Sequence, residues 1–422
     1  MARTINSFQL HDIRATRTEP VADTLVAPSE FNAVLNARGL YHTTQFVLRL
    51  SPRIHALVDA ITIGETDGYD PDELLSAYST YLHETIHWWQ HVGSTAGLIL
   101  SLSYPAQCTA NMEHLHDVVK LIGPKKSVKT WAENELRAGT AASNEALIEA
   151  NRAVNNTIDT EFYKVLTVTP LNAAKLFQDP YFQCVGHSYG IAYANTLHAL
   201  IDSCGFSQAS LPDPEEWTEP LDTLREAREE GFYHGSPIRR ARVGLLDIFE
   251  GQARFNQLQF LQTVGGPADC EYYRGSGYFE GVYVSAFDEF RRLTGFDWPV
   301  RIDDSLVSLF LLICDLAMNP TRGFPFPLNG RNDIIIDIDP GARFTRLCAA
   351  VKDNPALGRA IQSRSLEDYV HVAGALTSRC GYDHPMAALE TIVNLIDDDV
   401  GAAALMREWE ASASRARISQ LG

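Results

Sequence analysis

The chain has 422 residues, 45% of them hydrophobic and 21% charged, with a formal net charge of −18. That length supports a large core in two domains or one enlarged domain, and the composition is globular rather than disordered. The acidic balance excludes a general nucleic-acid binder, which needs a basic face, and argues against docking on anionic membrane.

Residues 1–40 show no clear period and are read as an N-terminal arm. Gln45–Leu50 alternates as a short strand, and Ile61–Gly64 reads as another extended piece. Asp70-Pro71-Asp72-Glu73 has the signature of a helix start: a capping Asp, Pro at the first position, acids in the first turn. A long helix is expected from there to about Ile99, with Leu75, Tyr78, Leu82, Ile86, Trp89 and Gly93 forming its packed stripe. Further helices are expected near 106–122, 131–153, 186–202 and 240–263. Loops are expected at 205–220 and 319–331. Ile334–Ile336 reads as a strand and Asp337-Ile338-Asp339 as its end. The remainder, from 341, reads as a helical bundle. The expected fold is mainly α with a small β component (α+β). A catalytic region spans 41–300, with a helical insertion, and a C-terminal helical region spans 301–422.

Seven cysteines are scattered without a CxxC pair. Neither a disulfide framework nor a cysteine zinc knuckle is expected. The N-terminal Met-Ala-Arg-Thr-Ile-Asn has no apolar stretch, so no signal peptide is read and a cytoplasmic location is expected. No apolar run reaches membrane-spanning length.

The chemistry-bearing segment is His83-Glu84-Thr85-Ile86-His87. Histidines four apart on a helix lie one turn apart on one face, where both imidazoles can converge on one tetrahedral ion. Zn²⁺ held this way lowers the pKa of its water toward about 7, and Glu84 on the same face is placed to take the proton. On the helical wheel this trio lies opposite the apolar stripe, so one face is expected to pack while the other carries the ligands.

The motif resembles that of the zincin metallopeptidases, and among them the gluzincins, whose third ligand is a glutamate on a later helix. Phe249-Glu250-Gly251-Gln252-Ala253 is similar to that third-ligand segment, which implies Glu250 as the ligand. Gly251 and Ala253 are read as letting the downstream helix approach the motif helix. Many gluzincins place this glutamate much closer to the motif, so a large helical insertion is implied. Glu145 and Glu149 are the alternative third ligands. The resemblance also implies an oxyanion donor. His187 and Tyr189, in Gly186-His187-Ser188-Tyr189-Gly190, are the leading choices, with His234, Arg254, Tyr273 and Tyr278 open. His91, two turns beyond His83, is read as lining the cleft or as a plain polar-face residue.

The expected activity is zinc-dependent hydrolysis of a peptide or protein substrate. Two alternatives stand beside it. One is a di-iron or di-manganese oxidoreductase built on Glu84-x-x-His87 and Glu113-x-x-His116. The other is a zincin-fold binding protein without turnover. The oligomeric state is not legible in the sequence.

Overall fold

The computed structural model describes residues 39–42, 47–173, 179–208, 211–213, 218–266, 268–321, 326, 334–401, 403–404 and 407–408. Most of the predicted arm and of the 319–331 loop lies outside them. Of the described residues 72% are helical and 2% lie in strands, so the β component shrinks to one hairpin among them. Strands β1 (Gly39–His42) and β2 (Val47–Leu50) pair antiparallel, with Gly39 opposite Leu50 and His42 opposite Val47. No helix is long and apolar enough to cross a membrane among the described residues.

Helix α1 (Pro52–Ile63) is capped by Ser51, carries Pro at its first position, and stops at Gly64 in the left-handed region, φ 78°. It absorbs Ile61–Ile63, which the sequence suggested were extended. The capped apolar run Ile54, Leu57, Val58 has helical spacing and packs on Ala77 of helix α2 (Pro71–Gly93). The predicted long helix is two helices. Ser94, extended at φ −122° and ψ 147°, ends α2 and caps α3 (Thr95–Ile122). Its hydroxyl donates to Gln90 O at 2.6 Å and accepts from Gly97 N at 3.1 Å. A Cβ at Gly97 would meet Gln90 O at 2.1 Å, so only glycine permits this tight corner.

The helix expected over 131–153 also divides, into α4 (Val128–Arg137) and α5 (Glu145–Val168). Asn144 caps α5 through Ala146 N at 3.0 Å. Helices α6 (Val185–Cys204) and α7 (Thr218–Glu226) follow. Next come α8 (Leu245–Gly265), α9 (Cys270–Gly275), α10 (Val282–Thr294) and α11 (Ser305–Met318). The last group is α12 (Ile334–Ile338), α13 (Pro340–Asp353), α14 (Leu366–Cys380) and α15 (Pro385–Asp398). Ile334–Ile336 is therefore helical, not a strand. A short apolar run is ambiguous by period, and here Asp339 caps the next helix through Ala342 N at 2.8 Å rather than ending a strand.

Two cores organise the chain. One gathers α8, α10, α11, α13 and α14 around Phe255, Phe287, Phe290, Phe310 and Phe344, all fully buried; each such ring contributes about 1.5–3 kcal/mol by leaving water. The other joins α3, α5 and α6 through Phe162, Tyr163, Phe182 and Leu197. The boundary drawn at residue 300 thus runs through a continuous core. The six described cysteines with placed side chains are free thiols.

Candidate metal centre

Helix α2 is fixed at its start by Asp70, which accepts from Asp72 N at 3.4 Å, with Asp72 and Glu73 complementing the helix dipole. It packs against α8, α1, α3 and the hairpin. The face turned inward is the polar one: Ser79, His83, Glu84, His87, Gln90 and His91 are buried. Leu75, Tyr78, Leu82 and Ile86 are only half-buried, and Trp89 is 60% exposed. This reverses the expectation that the apolar stripe is the face that packs while the other carries the ligands. The physical reason is that α8 supplies partners for Ser79, His83, His87 and Gln90 while α3 supplies one for His91, and a satisfied polar group can be buried without penalty.

His83, His87 and Glu250 converge. His83 Nε2 and His87 Nε2 lie 3.1 Å apart. Glu250 Oε2 is 3.2 Å from the first and 3.4 Å from the second. A tetrahedral ion bonded at about 2.0–2.1 Å sets its donors roughly 3.3 Å apart, so the triangle fits one such ion. The donor set, two imidazoles and a carboxylate, suits a divalent cation. Among the described residues this is the one group of three His, Cys, Asp or Glu side chains with ligand atoms clustered so closely. Glu250 Oε1 and His83 Nδ1 are buried without a hydrogen-bond partner. The cluster could therefore hold a metal ion, and Glu250 rather than Glu145 or Glu149 is its carboxylate.

Gln90 fixes the tautomer of His87. Its amide nitrogen donates to Phe249 O at 2.9 Å, an atom that can only accept. Its oxygen therefore faces His87 Nδ1 at 2.8 Å and accepts that proton, leaving the Nε2 lone pair aimed at the trio. Burial pulls His83 down to about 4, so it stays neutral and able to ligate at neutral pH. Burial opposes ionisation of Glu250, but the neighbouring His87 and the hydrogen bond from His83 outweigh it, holding the carboxyl well below its usual range.

Glu84 is 2% exposed. Strand β1 lies on it: a Cβ at Gly39 would stand 2.6 Å from Glu84 Cγ. On the other side, the Tyr283 ring lies 5.8 Å from the His83 ring. Arg254, one turn after Glu250, stacks 4.0 Å over Tyr283 and donates to Gln257 Oε1 at 2.6 Å. Gln257 in turn donates to Ser79 Oγ of α2 at 3.2 Å. Arg254 is thus the buried cation beside the trio. His91 is buried on the same face, bonded to Ser101 Oγ at 3.0 Å.

Several predicted residues lie elsewhere. Tyr189 donates to Asp339 Oδ2 at 2.7 Å inside the second core. His187 pairs through Nδ1 with buried Asp159. Both are bound to acids of other elements, Asp159 on α5 and Asp339 at the cap of α13. Glu149 is held by His114 at 2.7 Å and Arg152 at 2.6 Å, while Glu145, Glu113, His116 and His234 are exposed. Gly251 does not ease the approach of α8 to α2; a Cβ there would meet Phe310 and Ala286, so it admits α11 and α10.

Sequence reasoning missed Gln90, Gly39 and Tyr283. Gln90 carried a signal, three residues after His87 on the same face; the other two arrive from distant segments and carried none. Set against known proteins, the chain matches no family model, no curated protein and no solved structure.

Proposed function

We propose that this chain is a zinc-dependent hydrolase of the gluzincin-like type, cleaving a peptide or protein substrate. The observation that carries the reading is the donor triangle of His83, His87 and Glu250 with the Glu84 carboxylate on the neighbouring position of the same helix face. His83, His87 and Glu250 would hold the ion, whose Lewis acidity polarises a carbonyl oxygen and acidifies water. Glu84 takes a proton from the attacking water at its carboxylate and hands it to the leaving amine. Gln90 keeps the His87 lone pair directed inward. Arg254, with its guanidinium stacked on Tyr283, supplies positive charge beside the place where an oxyanion would form.

Metal analysis and turnover together test this. The purified chain should carry one zinc, lost in His87→Ala. Glu84→Gln should keep the zinc and lose cleavage of a mixed peptide library. Zinc retained in His87→Ala, or cleavage undiminished in Glu84→Gln, defeats the proposal.

The closed surroundings favour a second reading, a structural metal site without turnover, since structural sites are enclosed and catalytic ones keep an open position. In that case the chain binds zinc, cleaves nothing, and loses thermal stability on chelation whether residue 84 is Glu or Gln.

A further inference from the structure

A cavity of about 290 Å³ opens beside the first turn of α6, away from the helices α2 and α8 that carry the metal ligands. Its apolar wall includes Ile191, Ala194, Leu221 and Phe232, and its polar groups include His187, Arg225 and Asp222, the acid that Arg225 pairs with. The His187 imidazole is fixed from behind. Asp159, with no exposed surface, engages Nδ1 and also accepts from Gln183 N at 3.2 Å. The His187 side chain is 34% exposed, so the opposite edge of its ring, with Nε2, fronts the cavity. Across the opening, Arg225 of α7 is steadied by Asp222 at 2.9 Å and is 57% exposed.

A buried carboxylate costs desolvation that a surface histidine does not require. Placed behind an imidazole, it fixes the ring's orientation. An oriented imidazole and a guanidinium thus line one mouth of a mostly apolar chamber. Apolar walls with a few convergent polar groups are the ordinary make-up of a small-molecule site, and this volume lies at the small end of that class.

We infer that this cavity is a second binding site, taking a small carboxylate with an apolar body the size of a phenyl ring or short acyl chain, its charge held between His187 and Arg225. The carboxylate accepts hydrogen bonds from His187 Nε2–H and the guanidinium. The apolar body lies against Leu221, Ile191 and Phe232. The inference does not depend on the metal or on turnover at Glu84.

Phenylacetate titrated into the full chain, followed by calorimetry and ligand-observed NMR, tests it. Binding is expected with a dissociation constant on the order of 1 mM, as suits so small a ligand. The neutral isostere phenylacetamide should bind about tenfold more weakly, the loss of one charge-assisted hydrogen bond. Arg225→Gln, at the exposed rim, should show a similar loss without unfolding. Ala194→Leu, which fills the chamber, should abolish binding. His187→Gln strands Asp159, so the double change Asp159→Asn with His187→Gln is the folded control and should also bind weakly. Glu84→Gln should bind as the natural chain does. Absence of phenylacetate binding overturns the inference, as does equal binding of the amide or binding undiminished in both Arg225→Gln and Ala194→Leu.

Discussion

Gln90 accepts the Nδ1 proton of His87 at 2.8 Å while its amide nitrogen donates to the main-chain oxygen of Phe249, the residue before Glu250. One side chain therefore ties the motif helix to the helix bearing the third donor and sets the imidazole tautomer. Gln90→Leu should lower zinc affinity by about 10–100-fold, the usual effect of removing a partner behind a metal-binding histidine. Competition against a chromophoric chelator measures it; unchanged affinity would show that Gln90 only packs.

Glu250→Ala should leave the fold present but reduce zinc to sub-stoichiometric amounts, because two imidazoles alone hold the ion weakly. Glu149→Ala should leave zinc content unchanged, since Glu149 is occupied by His114 and Arg152. Metal-to-protein ratios after gel filtration decide between these two carboxylates.

Acid should unfold the metal-free chain early. Burial lowers His83 from 6.5 to about 4 and His91 to about 3. Above pH 6.5 both are neutral, folded or unfolded, and the stabilisation is complete. As pH falls below 6.5 the unfolded chain takes up protons that the folded chain refuses, so stability declines until His83 titrates near 4 and His91 near 3. The slope is about 1.4 kcal/mol per pH unit for each histidine, roughly 4 kcal/mol for the pair at pH 5. Urea denaturation in chelator at pH 7.5 and pH 5 measures it, and His91→Gln should halve the difference.

Tyr189→Phe should destabilise the chain by about 1–3 kcal/mol, because buried Asp339 loses the phenolic donor. Zinc affinity and any peptide cleavage should not change. A loss of turnover at full stability would instead return Tyr189 to the reaction.

Gly39→Ala should displace β1 from Glu84, at a cost of about 1–3 kcal/mol for overpacking. Faster amide exchange in both strands of the hairpin would register the displacement, and unchanged exchange would show that β1 does not rest on the carboxylate.

The metal donors on α2 were legible because helical spacing is a local property: four residues make one turn, whatever surrounds it. Glu250 was legible through its Glu-Gly-x-Ala setting, although Gly251 proved to serve Phe310 and Ala286. The inward side of α2 was not legible. The wheel separates polar from apolar but says nothing of which face a partner will cover, and here α8 brought matching polar groups. The break at Ser94 did carry a local signal, since Gly93, Thr95 and Gly97 around it are weak helix formers, but the apolar stripe running up to Gly93 outweighed it. Tyr283 and Gly39 reach the site only through tertiary packing. His187 and Tyr189 share a Gly-rich motif, yet Asp159 and Asp339 claim them in turn.

Glu250 stands on a helix whose other flank is seated in the same apolar block as α11, α13 and α14. On the proposed reading, metal loading and the integrity of the C-terminal half would be coupled: emptying the triangle would leave an acid and two imidazoles crowded together in a buried interior. On that reading, zinc shortage would yield not an intact but idle protein but a thinning population, cleared by quality control as the ion is withdrawn.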